Sequence, residues 1–292
     1  MTSKFLIRAI LAVLAFALAG LGRPAKSAPA ESSVVTPLTT VAIGHHRALA
    51  YLDANPVRRR LAKATARAAA SVVRVQCRDY TNGTEKCERG TGFVLAHGFV
   101  LAPGHLLVRH SANARLSVQL ADGTEIAATL TGRGHPTRTG DAGDFALLQV
   151  SAGSARLPAP LAVGEARSGA EVVMIGFSAD AGLGRDGTVV GNRDGAPLAP
   201  TWLVGRITDP YGVYIEPVAG CLPQGGFSGA PAIDATGAVV AMQTAVTTTR
   251  SEDAPRVVAG EQIVDPPRFR YRVDAARINE VIRTLEEGGG RR

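Results

Sequence analysis

Three side chains, in the order histidine, aspartate, serine, carry the chemistry this sequence offers. The stretch "CLPQGGFSGAPAID" (221–234) sets Ser228 among glycines, with a proline close behind. "GFVLAPGHLL" (98–107) is a strand-like run entering a turn that holds His105, and "DAGDFALLQV" (141–150) puts Asp144 just ahead of an apolar strand. The gaps are 39 and 84 residues. A serine hydroxyl is a weak nucleophile until a neighbouring base takes its proton. A neutral imidazole accepts a proton near physiological pH. A carboxylate on the other ring nitrogen orients that imidazole and stabilises the imidazolium as it forms. Gly226 and Gly229 relax steric limits around Ser228. The N–H groups of Gly226 and Ser228 could then converge as an oxyanion hole. The chemistry these residues suit is nucleophilic attack on an acyl group.

Plainer readings stand beside this one. Ser228 could be a loop serine and His105 a core histidine. Asp141 competes with Asp144, but the residue directly before the apolar strand fits better, and Asp141 reads as a solvated turn acid. His97, His110 and His135 are isolated and lack metal-ligand spacing, so neither metal nor cofactor is expected. His45 and His46 fall in a stretch that reads as exposed linker.

The elements that must position these residues are mostly strands. Short runs of Val, Ile, Leu and Thr alternate with Gly, Asp and Asn turns, beginning at "AASVVRVQC" (69–77). Asp122-Gly123 between two alternating runs is a hairpin signal. About 220 residues of this pattern, broken near "SAGSARLPAP" (151–160), suit two small β-barrels in series, at about 69–152 and 161–272. Active sites often form between such units. Residues 31–45 read as irregular linker. Asp53 or Asn55 before Pro56 starts a helix-like stretch, with proline at a tolerated first-turn position. The basic residues of "NPVRRRLAKATAR" (55–67) read as its solvated face. "RVDAARINEVIRTLEE" (272–287) has helical apolar spacing and is expected to be a C-terminal helix, followed by a disordered tail over 287–292.

The first 30 residues read as an export signal. Lys4 and Arg8 precede the apolar run "AILAVLAFALAGL" (9–21), and Ala28-Pro29-Ala30 offers small residues for cleavage after Ala30. An uncleaved anchor is the alternative. That segment holds four basic residues and no acid, so its removal lowers the net charge from +7 to +3. Nucleic acid is therefore not an expected partner, and neither is a membrane once the signal is gone. Periplasmic or secreted localisation follows. In an oxidising compartment Cys77 and Cys87, which flank a hairpin turning near Asn82-Gly83, are expected to form a disulfide contributing about 2–3 kcal/mol. Cys221 is left as a buried thiol or an intermolecular partner.

"GTGF", "APGH", "DFALL" and "GFSGAP" occur in that order at plausible spacing. In this the chain resembles the chymotrypsin-fold serine peptidases, specifically the bacterial exported branch related to the high-temperature-requirement peptidases. "VQLADGTEIAATLTG" and "LAVGEARSGAEVVMIGF" fit the same branch. The resemblance covers roughly 69–286. It implies an all-β fold of two six-stranded barrels of chymotrypsin type, with a short N-terminal helix within 31–68 and a C-terminal helix. It also implies a serine endopeptidase acting through His105, Asp144 and Ser228, with polypeptide substrates. Leu222 would lie at the base of the primary pocket, and Thr244, Ala245 and Val246 along its wall and the substrate-pairing strand. No acid awaits a basic side chain there, and Val246 narrows the mouth, so a small apolar residue before the scissile bond is expected.

Two departures keep a catalytically silent binding or scaffold protein as the alternative. Pro103-Gly104 replaces the usual small-residue approach to His105, and a misplacement near 1 Å costs about 10²-fold in rate. Phe227 stands where the family usually has Asp or Asn. Self-activating digestive members pair that acid with a freshly cut N-terminus, a route closed to phenylalanine. The ring would bury instead, pinning the loop or marking one that no longer forms the hole.

Overall fold

The computed structural model describes residues 37–81, 84–107, 114–134, 144–150, 156–178, 181–183, 189–191, 200–209, 214–220, 225–247, 256–258, 261–263 and 268–271. The expected export signal (1–30), Cys221, Leu222, the expected C-terminal helix (272–287) and the tail lie outside these residues, as do His110, His135 and Asp141.

Strands β1 (Val72–Thr81), β2 (Thr84–Val94), β3 (Phe99–Ala102), β4 (Arg115–Gln119), β5 (Glu125–Arg133) and β6 (Ala146–Val150) form a closed antiparallel barrel in the order β1-β2-β3-β6-β5-β4. Alternation explains its core. Val73, Val75 and Cys77 of β1 join Val94, Val100, Val118, Ile126 and Leu148 in one buried cluster. Between β4 and β5 the Asp122-Gly123 turn forms as expected. Asp122 Oδ1 accepts from Thr124 N–H at 2.8 Å, and Gly123 donates to Leu120 O at 2.9 Å.

The strands that follow are β7 (Glu171–Gly176), the hairpin of β8 (Ala181–Leu183) and β9 (Val189–Gly191), then β10 (Thr201–Asp209), β11 (Tyr214–Gly220), β12 (Pro231–Ile233) and β13 (Val239–Thr247). A hairpin of β14 (Arg256–Val258) and β15 (Glu261–Ile263) precedes β16 (Arg268–Tyr271). Six of them pair in the order β7-β10-β11-β16-β13-β12, with β12 returning to β7. A shared core joins this sheet to the first barrel: Phe93, Leu101 and Leu147 pack with Val173, Ile175, Val204 and Met242. Each such side chain stabilises the fold by about 1.5–3 kcal/mol relative to leaving it exposed.

The β1–β2 register overturns the expected disulfide. Cys77 lies opposite Glu88, and Cys87 lies opposite Arg78. The two cysteines are one position out of step, and a one-residue offset sends side chains to opposite faces of a hairpin. Cys77 points into the barrel core and Cys87 is partly exposed on the other face; both are free thiols. Burial, with Glu88 and Asp79 nearby, pushes the Cys77 thiol up to about 12.

Two helices precede β1: α1 (Pro37–Asp53) and α2 (Pro56–Ala69). In α2 the Asn55 side chain caps the first turn by accepting from Arg58 N–H at 2.9 Å. Leu61, Ala64, Thr65 and Ala68 are buried at helical spacing, which leaves Arg59, Arg60, Lys63 and Arg67 in solvent, as expected. The linker expected over 31–45 is corrected from Pro37 onward, where the chain is helical. The β-branched residues, Gly44 and the paired histidines lower helix propensity here, but burial of Ala48 and Leu52 in the shared core outweighs it. Both helices are tied to β7 through Glu171. Its carboxylate accepts from Tyr51 Oη at 2.7 Å and from Arg58 Nε at 3.1 Å. Burial raises the affinity of Glu171 for its proton, but the hydrogen bonds from Arg58 and Tyr51 outweigh that and hold it below the usual glutamate range.

His45 is likewise half-buried rather than exposed. Its ring meets Trp202 edge-on at 5.7 Å, and its Nδ1 has no partner among the described residues. Burial, and then the proximity of His46, push its pKa from 6.5 down to about 4. The unfolded chain therefore takes up this proton before the folded one. Stability is full above the unfolded value and falls as pH drops from about 6.5 to about 4. Thermal midpoints measured across that range should fall more steeply for the wild type than for His45→Phe.

Candidate active site

The pairing of β3 with β6 brings His105 and Asp144 together. Ala102 lies opposite Ala146, so the chain leaving β3 runs beside the chain entering β6. Pro103 ends β3 and a 3-10 turn, Gly104–Leu107, follows. Gly104 lies flush on the Phe145 backbone: a Cβ there would sit 2.9 Å from Phe145 O and 3.0 Å from its N. This approach lets the fully buried Asp144 carboxylate take two contacts from one residue. Oδ1 accepts the His105 backbone N–H at 2.7 Å, and Oδ2 lies 2.8 Å from His105 Nδ1. With Nδ1 engaged by the carboxylate, Nε2 is the ring nitrogen that faces away from Asp144. Pro103-Gly104 is thus compatible with a paired His105, and Gly104 is the residue that permits the pairing.

The turn bearing Ser228 is held from both sides. Gly226 and Gly229 have φ of 92° and 90°. Gly229 donates to Gln243 O of β13 at 2.6 Å, and Ala230 donates to Phe227 O at 2.9 Å. The Ser228 carbonyl accepts from Thr91 N–H of β2 at 2.8 Å, which joins the turn to the first barrel. Gly229 is wedged so closely that a side chain would overlap Thr91 O and come within 2.5 Å of Pro103 Cδ. This sets the Ser228–Gly229 backbone beside Pro103, two residues before His105, although no hydrogen bond joins the Ser228 hydroxyl to His105 among the described residues. Phe227 is buried, 1% exposed, among Val172, Met174 and Leu203. Gly176 leaves room for its ring. The Gly226 and Ser228 N–H groups have no acceptor among the described residues.

Of the residues expected to line the primary pocket, the structure describes the side chain of Thr244. This residue is buried in β13, and its Oγ1 has no partner among the described residues. The β13–β16 register slips between Gln243 and Ala245, so Thr244 occupies a bulge. Ala245 pairs with Arg270 and Val246 with Phe269 through the backbone. Their side chains, like Leu222, lie outside the described residues. Thr91 went unassigned in the sequence, although a threonine flanked by glycines in a strand is the signal for backbone approaching closely on both sides. A groove of about 900 Å³ runs between α2, β7 and β10, lined by Leu61, Arg58, Glu171, Arg206 and Asp234 among others. It shares no lining residue with the Ser228 corner.

The family profile of a trypsin-like peptidase domain matches residues 90–242, just over half of the chain. The chain belongs to the trypsin-like peptidase family. The match begins at the glycine of "GTGF", spans His105, Asp144 and Ser228, and stops before Thr244. No curated protein matches the chain. Family membership places the protein among the serine peptidases, hydrolases whose substrates are polypeptides.

The contact at Gly104 gives a direct test of the histidine–aspartate arrangement. In Gly104→Ala the new methyl meets backbone, which has no rotamer to yield. The turn must lift away from Phe145 and carry His105 with it. A stability loss of about 1–3 kcal/mol in urea unfolding is expected. Peptidase activity should fall by about 10²-fold.

Proposed function

We propose that the protein is an exported serine endopeptidase of chymotrypsin-type two-barrel architecture, from the branch related to the high-temperature-requirement peptidases. Ser228 is the nucleophile, His105 the general base and Asp144 the residue that orients it. The observation that carries this reading is the His105–Asp144 pair, 2.8 Å apart on a buried carboxylate, at the corner where Gly229 packs against Pro103.

The chemistry runs as follows. Ser228 Oγ attacks the scissile carbonyl carbon while His105 Nε2 takes its proton. The carbonyl oxygen becomes an oxyanion facing the Gly226 and Ser228 N–H groups. Collapse of the intermediate breaks the C–N bond, and the imidazolium gives its proton to the departing amine. Water then attacks the acyl-enzyme with His105 again as base, releasing the acid and restoring Ser228. Each oxyanion donor is worth about 10²–10³ in rate. The deeply buried Phe227 supports a turn that needs no new N-terminus to order it. The basic start, apolar run and small-residue site of residues 1–30 support export.

A fluorophosphonate probe tests the reading. Wild type should be labelled and Ser228→Ala should not. A correctly folded mature wild type that takes no label would leave the silent binding-protein reading in its place.

Leu222, Thr244, Ala245 and Val246 are proposed to line the primary pocket, with Val246 narrowing it. Cleavage should then follow Ala, Val or similar residues, because a tight apolar slot leaves a charge unpaired and a ring without space. In a peptide library, Val246→Gly should broaden acceptance toward bulkier residues and keep turnover. Wild-type preference for Arg or Lys would contradict this assignment.

A further inference from the structure

Thr91 makes more contacts with the nucleophile turn than the peptidase mechanism assigns to it. It is wholly buried in β2 of the first barrel. Its Oγ1 donates to Gly226 O at 2.8 Å and accepts from Phe177 N–H at 3.0 Å. Its backbone N–H donates to Ser228 O at 2.8 Å, and its carbonyl is the surface on which Gly229 is pressed. The direction of the hydroxyl follows from its inventory. A hydroxyl has one proton, and an amide N–H can only donate, so the proton goes to Gly226 O.

The geometry has a consequence for the oxyanion donors. Gly226 O fixes the plane of the 226–227 peptide, and Ser228 O fixes that of the 228–229 peptide. Phe227, between them, is anchored by its ring in the core of the second sheet. The N–H groups of Gly226 and Ser228 belong to the adjoining peptides, so their aim depends on these fixed points. Donors that are aligned before reaction stabilise an oxyanion without reorganising.

We infer that Thr91 is a positioning residue for the oxyanion hole, its hydroxyl bridging Phe177 and Gly226 so that the first barrel holds the catalytic turn of the second sheet in register. This rests on the peptidase reading of Ser228. Thr91 touches no substrate and acts only through the turn. It explains why the "GTG" segment has a side chain only at its centre. A Cβ at Gly90 would overlap Leu106, beside His105, and a Cβ at Gly92 would sit 2.8 Å from Leu101 O.

The test compares Thr91→Val with Thr91→Ser on a small-apolar peptide substrate, with a peptidyl aldehyde as a second probe. The aldehyde forms a hemiacetal with Ser228 whose oxygen occupies the same hole. Thr91→Val keeps the shape and removes the hydroxyl. Its kcat should fall by about 10²-fold, near the loss of one oxyanion donor, with aldehyde affinity falling in parallel and KM within about threefold of wild type. Thr91→Ser keeps the hydroxyl and should restore kcat to within about threefold. Unfolding curves give the folded fraction for each variant, and rates are referred to it. A folded Thr91→Val with wild-type kcat and aldehyde affinity overturns the inference. So does a folded Thr91→Ser whose kcat falls by about 10²-fold from wild type, and this arm stands if Thr91→Val does not fold. Wild type that neither turns over substrate nor takes the fluorophosphonate label would instead overturn the peptidase reading itself.

Discussion

A carboxylate removed from water dominates the structure around the site. Asp144 has a fully buried side chain, and an uncompensated charge in that position would cost several kcal/mol. Two contacts from His105 offset the cost, one from its backbone and one from its ring. Both depend on β3 and β6 staying in register and on Gly104 lying against Phe145. The same carboxylate that needs the histidine also fixes its tautomer and its direction. Stability and preorganisation therefore share one interaction. The residues after β3 are consequently constrained by backbone contact at Gly104 and by the ring at His105.

The junction with the second sheet obeys a different constraint. Here the decisive contacts are between main chains: Thr91 with Ser228, Gly229 with Gln243, and Gly229 against Thr91 and Pro103. The approach at Gly229 tolerates no Cβ, and main-chain contacts place a turn more rigidly than a flexible side chain would. Phe227 adds apolar burial beneath the turn. Where the usual acid of this family would need an ionic partner, the ring needs only a well-packed cavity, supplied by Gly176, Val172 and Met174. The turn is thus held by packing below and by hydrogen bonds above.

The N-terminal helices serve the second sheet. α1 contributes Ala48 and Leu52 to the core shared by both sheets, and α2 contributes Leu61 and Ala68. Glu171 collects Tyr51, Arg58 and Arg206 at the start of β7, the strand that leads to Phe177 and hence to Thr91. The helices therefore stiffen the approach to the site without entering it.

Local patterns carried much of this in the sequence. Alternating apolar residues marked β1 and β4–β5, and a continuous apolar run marked β7; Asp122-Gly123 marked its hairpin; and Asn55-Pro56 marked the start of α2. The four short motifs carried the residues of the candidate site, and at Gly104, Gly226 and Gly229 the backbone shows why glycine stands there. What failed depended on partners far along the chain. The helix over 37–45 exists because Ala48 and Leu52 are buried by distant strands, which local propensity cannot reveal. The cysteine pairing failed on register: Cys77 and Cys87 are a plausible pair by spacing, and only the strand alignment shows them on opposite faces. Thr91 is a threonine like any other until β2 meets Gly226, 135 residues later. The order of residue types along the chain already set which groups were available for acyl chemistry. The tertiary structure alone decided that Asp144 would be buried against His105, and that Thr91 would reach Gly226, because both depend on surfaces formed only when distant strands close-pack.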